Sequence, residues 1–171
     1  PQLFLQDLQK LFALIQHFKP DQLIVVGDLF HSQDNQEIQL FRKWRADISG
    51  LPIHLIKGNH DILSPDRYDS LGLTVYERTW LKPPFLFVHE TPEILPEVSL
   101  VAPYILSGHI HPGVHLKGAG KQSLRFPCFY FGVQQGILPA FSAFTGTKAI
   151  QPSKGDHCYA IVENSLLSLV G

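Results

Sequence analysis

The sequence contains no methionine, not even a first one, and it opens at Pro1 in the middle of a polar-apolar pattern. We therefore expect the N-terminus to be truncated. Cysteine is scarce as well: Cys128 and Cys158 lie far apart and without CxxC spacing, which argues against a disulfide framework and for buried, reduced thiols in a cytoplasmic protein. Long apolar runs are missing. Nothing approaches the roughly 20 residues of a membrane span, and no basic-then-apolar segment opens the chain. Nor does one sign of charge dominate, since 14 Lys and Arg stand against 15 Asp and Glu. A polyanion would have to be met by a local patch rather than a global field. The 171 residues show no internal repeat, low-complexity tract or linker, and they suffice for a single domain with its own core.

Hydrophobic spacing organises what is there. Residues 4–18 carry Leu5, Leu8, Phe12 and Ile15 at helical spacing and end in Lys19-Pro20, a helix stop. QLIVVGD (22–28) is a short, β-branched run ending in Gly-Asp, as expected of a strand covered on both faces. The helical period returns at 35–47 through Ile38, Phe41 and Trp44, and Gly50-Leu51-Pro52 breaks it before a second buried strand, IHLIKG (53–58). Strand, helix, strand with short loops predicts a parallel βαβ unit. Further strands are expected at 73–77, 85–89 and 103–107, followed from residue 113 by a mostly antiparallel tail with hairpin signals at 117–120 and 163–164.

Polar residues gather where these strands end: GDLFH (27–31), GNHD (58–61), VHE (88–90) and GHIH (108–111). Open α/β sheets collect ligands at the carboxyl ends of their strands, so these segments can meet although tens of residues separate them. In an extended segment His109 and His111 would project to one side and aim both rings at one point, which could be a metal site. Oxygen and imidazole donors in this mixture suit Mn, Fe(II) or Zn better than Mg or Ca. Taken singly each segment is a weak signal: GD after a strand is more often a turn, GNHD can be an Asn-containing turn, and His17, His54 and His157 are more simply packed or exposed residues. The conjunction in order is what points to chemistry.

That ordered set resembles the calcineurin-like metallophosphoesterases, whose blocks run DxH, GD, GNH(D/E), H and GHxH; all but the first are present between residues 27 and 111. The resemblance implies a four-layer α/β/β/α sandwich with mixed sheets, in which the N-terminal strand carrying DxH is missing here, the whole chain forming one truncated domain. It implies two divalent transition metal ions, with Mn favoured over Zn or Fe, bridged by Asp28. Asn59, His89 and His109 would complete one ion's shell and His111 would join the other. His60 would act beside the scissile phosphate as general acid or charge stabiliser, its ring held by Asp61. Such a pair of ions lowers the pKa of a bridging water and clamps the attacking and leaving oxygens of an in-line displacement, so the implied activity is phosphodiester hydrolysis by a metal-activated hydroxide.

SGHIHPGV (107–114), LRFPCFYFG (124–132) and ILPAFSAFTG (137–146) narrow the resemblance to the ligase-associated phosphoesterases of the PdeM type. These imply a DNA substrate, single-stranded DNA among the candidates, and DNA ligase and helicase of one bacterial repair system as partners. Phe126, Phe129, Tyr130, Phe131, Phe141 and Phe144, with Lys117, Lys121 and Arg125, could form a stacking platform with basic flanks; alternating aromatics more often fill a core. His31 and His115 lie near the ligands in sequence, His31 as a candidate substrate contact. Two rival readings stay open: a small-molecule or nucleotide phosphatase or phosphodiesterase with the same centre, and a non-catalytic module of a repair complex should DxH be truly absent.

Overall fold

The computed structural model describes residues 2–30, 35–91, 103–117, 123–142, 145–163 and 165–170. The chain divides into two compact units, Pro1–Thr79 and Trp80–Gly171.

The first unit runs α1 (Gln2–Phe18), β1 (Leu23–Val26), α2 (Asn35–Asp47), β2 (Ile53–Ile56), α3 (Pro65–Ser70), β3 (Leu73–Tyr76). Its sheet has the order β1-β2-β3, and both pairings are parallel, with Leu23 opposite Ile53 and Ile53 opposite Leu73. The expected βαβ unit is therefore present and continues into a third strand. β2 takes the middle, where both faces are covered, with Ile53, Leu55 and Ile56 fully buried. Leu8 and Ile15 from α1 join Ile38, Phe41 and Trp44 from α2 in one core. Phe41 is its hinge, with ring centroids 5.1 Å from Phe30 and 5.2 Å from Trp44. The sequence pattern did not predict α3. Six residues are too few to show a helical period, and the only local signal was Pro65 at its first turn.

The second unit carries β4 (Thr79–Lys82), β5 (Phe85–Val88), β6 (Tyr104–Ser107), β7 (Pro112–Lys117), β8 (Ser123–Phe131), β9 (Gln135–Ile137), β10 (Lys148–Ala149), β11 (His157–Val162) and β12 (Ser165–Val170). They form one sheet in the order β10-β7-β8-β9-β6-β5-β4, with β11 also paired to β8 and β12 to β11. The tail is more mixed than expected: β6 runs parallel to both β5 and β9, and β10 runs parallel to β7. Parallel neighbours need long connections, and the chain between β5 and β6 is long enough to make one. Both cysteines are buried free thiols in a small core with Val114 and Ala160, and burial reinforced by Cys158 pushes the Cys128 thiol up to about 12. Of the aromatics, Phe126, Phe129 and Phe131 are half-buried and Phe141 is exposed, so most of the expected platform is committed to packing. Phe144, Lys121 and the Lys117 side chain lie outside the described residues.

Two tyrosines give the fold an alkaline limit. Burial pushes Tyr68 up to about 12, helped by the charge of Asp61. Burial likewise pushes Tyr130 up to about 12, helped by Asp156, which accepts its hydroxyl proton at 2.9 Å. The unfolded chain ionises these phenols near 10, so the folded state holds the extra protons above that value. Their contribution is intact below pH 10 and is lost as pH climbs through about 12. The urea midpoint should fall across that window, and less steeply in Tyr130→Phe. An unchanged midpoint in the wild type would contradict this assignment.

Candidate metal centre

In the first unit, β1 gives way to Gly27 and then Asp28, both in left-handed backbone, with φ of 83° and 55°. Glycine adopts that conformation freely, but for Asp28 it costs about 1–2 kcal/mol, so something must hold the turn. That group is Asp61, only 2% exposed. Its Oδ2 accepts the amides of Asp28 at 2.7 Å and Gly58 at 2.9 Å. Its Oδ1 accepts those of Leu29 at 3.0 Å and Phe30 at 3.1 Å. Asp28 in turn accepts the His60 amide at 3.0 Å through Oδ1. The turns after β1 and β2 are thereby knitted together, with Asn59 and His60 exposed beside them.

Burial raises the pKa of Asp61, the backbone bonds from Gly58, Phe30 and Asp28 pull it back, and the charge of Asp28 raises it again. Gly58 belongs to the same arrangement. A Cβ there would lie 2.6 Å from the Asp28 amide nitrogen and closer still to its carboxylate, so only glycine lets the two turns approach. The sequence reading assigned Gly58 no role, although its place between a strand and a candidate ligand was a signal.

In the second unit the parallel register of β5 and β6 sets their ends side by side, and the Gly108 amide donates to the His89 carbonyl at 3.0 Å. His89 is 8% exposed, and its Nε2 lies 3.0 Å from Nδ1 of His109. At that distance the two rings share a proton in a hydrogen bond, and the two nitrogens face each other, as two imidazoles that could take one ion between them would. The exposed Glu90 approaches the far side of His109, with Oε1 at 3.7 Å from Nε2. His109 and His111 do not continue the strand, as the expectation of a shared side required. Both are left-handed, with φ of 61° and 48°, and the Ile110 amide donates to the Gly108 carbonyl at 2.8 Å. A turn, not strand alternation, aims these rings.

Within the second unit His89 and His109 thus bring two imidazole nitrogens together, donors suited to transition metals, and within the first unit the turn after β1 presents the Asp28 carboxylate. The calcineurin-like phosphoesterase family model matches residues 4–132. The chain belongs to that family. The phosphoesterase is also similar to the crystal structure of Pseudomonas putida nuclease MPE, with 32% identity over 96% of this chain and 78% of that one, and a TM-score of 0.79. No curated protein matches it. Its mixed α/β architecture is the metallophosphoesterase fold, and it is a metal-dependent hydrolase of phosphoester bonds.

Outside these two clusters, His31 lies beyond the described residues. His115 is exposed on β7, where its Nε2 accepts from Arg125 Nε at 3.2 Å. His54 is half-buried in β2 with Nδ1 3.3 Å from the Tyr76 hydroxyl, a packed residue as expected. No described helix is long and apolar enough to cross a membrane.

Proposed function

We propose that the phosphoesterase hydrolyses phosphodiester bonds in nucleic acid with two divalent ions, Mn favoured, held by Asp28, Asn59, His89, His109 and His111. The observation that carries this reading is the convergence of His89 and His109 nitrogens at 3.0 Å, in a chain whose structural neighbour is a nuclease. When bound, the ions would supply charge for the phosphate and acidify water. The protein's own residues do the rest. Asp28 would offset the ions' mutual repulsion, while Asn59 would add a ligand without charge and so leave the centre positive toward a phosphate. His60, exposed and attached to Asp28 through its amide, offers the proton or hydrogen bond for the leaving oxygen. Asp61 holds the turn that presents Asp28; four backbone amides occupy its two oxygens, so the expected hydrogen bond to the His60 ring is not made. We read the whole chain as one catalytic domain and place it in the cytoplasm, where Cys128 and Cys158 stay reduced. A bacterial DNA-repair setting, with DNA ligase and helicase as partners, rests on the resemblance of its C-terminal stretches.

The test is a parallel assay of bis-p-nitrophenyl phosphate, nucleotides and single-stranded DNA before and after chelation. We expect the diester and the DNA to be cleaved, cleavage to stop with EDTA, and Mn to restore it. Hydrolysis confined to nucleotides would support the small-molecule reading. Binding of DNA without cleavage at any metal concentration would support the non-catalytic one.

A further inference from the structure

The His111 ring is held from a distant part of the sequence. Its Nδ1 lies 3.3 Å from the Gly146 carbonyl, and a carbonyl oxygen can only accept. Nδ1 must therefore carry the proton, which leaves the Nε2 lone pair for an ion. Gly146 belongs to a strap, residues 145–150, laid along β7. The Lys148 amide donates to the His111 carbonyl at 3.0 Å and the Ile150 amide to the Gly113 carbonyl at 2.9 Å, and Lys148–Ala149 pair in parallel with Pro112–Gly113. The approach is close enough that a Cβ on Gly113 would lie 2.7 Å from Thr147 Oγ1. Between the Gly146 carbonyl and these pairings stands Thr147, whose carbonyl accepts Arg125 Nη1 at 2.8 Å. The same guanidinium donates through Nε to His115 at 3.2 Å, and His115 Nδ1 lies 3.3 Å from Ser123 Oγ. Arg125 is thus forked between its strand neighbour and the strap.

We infer that Arg125 is a positioning residue, which pins the 145–150 strap so that the Gly146 carbonyl selects the Nδ1–H tautomer of His111 and aims its Nε2 at a metal. Nothing in this role requires Arg125 to touch substrate. The bidentate fork matters more than the charge, because a lysine cannot donate to Thr147 and His115 in the same fixed geometry. The inference rests on the proposed ligation by His111, and the experiment separates the two.

The tautomer is read directly from long-range 15N–1H correlations of the imidazoles in metal-free protein, and Mn binding is measured by titration calorimetry with ion counting. In the wild type His111 should show a protonated Nδ1. In Arg125→Met and in Arg125→Lys the His111 signals should shift toward a tautomer mixture, and affinity for one ion should fall by roughly 10–100-fold, with circular dichroism unchanged. Gly113→Ala, which displaces the strap by another route, should do the same. A wild-type His111 protonated on Nε2, or Arg125 variants with unaltered tautomer and affinity, overturns the positioning role. His111→Ala that retains every ion overturns instead the ligation beneath it.

Discussion

Asp28→Asn should lower diester hydrolysis by roughly a thousandfold or more, since a metal centre supplies several kcal/mol of charge stabilisation and about 1.4 kcal/mol is a factor of ten. The substitution is chosen to remove charge and little else. An Asn carbonyl oxygen can still accept the His60 amide that now donates to Asp28 at 3.0 Å, and the backbone amide of residue 28 still reaches Asp61. What is lost is the carboxylate proposed to balance two cations. Ion counting should show a deficit that parallels the rate. The metal-free protein should not be destabilised, because the charge of Asp28 is one of the causes that raise Asp61, and removing it relieves a repulsion. Wild-type turnover in Asp28→Asn would refute the assignment of the bridge. Lost turnover together with a collapsed unfolding midpoint would mean that Asp28 is structural.

Asp61→Ala should have its largest effect on the fold. Four amides lose their acceptor at once, and an unsatisfied buried donor costs about 1–3 kcal/mol. Only the bond to Phe30 is fully buried, so water recovers part of the others, and a loss of about 3 kcal/mol is expected. Against a typical total of about 5–15 kcal/mol, that is a large fraction. Asp61→Asn should fall between, because one carboxamide oxygen can still accept while its NH2 faces donors. The deficit also has a pH dependence of definite sign. The folded pKa of Asp61 is raised above 3.8, so its contribution is greatest below 3.8 and declines as pH rises through the folded value. Without metal, the gap in urea midpoint between wild type and Asp61→Ala should therefore be wider near pH 3.8 than at neutrality. An equal or narrower gap in acid would contradict it. Hydrolysis should drop as well, since the strained Asp28 turn loses its support.

These two residues mark where sequence and structure divide the information. Asp28 was legible because it follows the apolar run 23–26 and precedes a loop, and periodicity is a local property that one strand displays by itself. The same holds for α1, α2 and the three parallel strands of the first unit, and for the ordered set of strand-end histidines. The four amides on Asp61 were not legible. They come from residues up to 33 positions away, and a backbone N–H carries no mark in the sequence of where it will be satisfied. For the same reason α3 and the parallel β5-β6-β9 ladder escaped notice.

The GHIH stretch makes the division plainest. Its composition announced two imidazoles at a strand end, and strand alternation predicted how they would point. The backbone instead turns left-handed at both histidines, an unfavourable conformation that a side chain holds only when the surrounding structure over-determines it. The sequence by itself determined which donors this protein owns and which elements carry them. Only the tertiary structure decided their aim, because the hydrogen bonds that overcome that backbone strain come from carbonyls and amides remote along the chain.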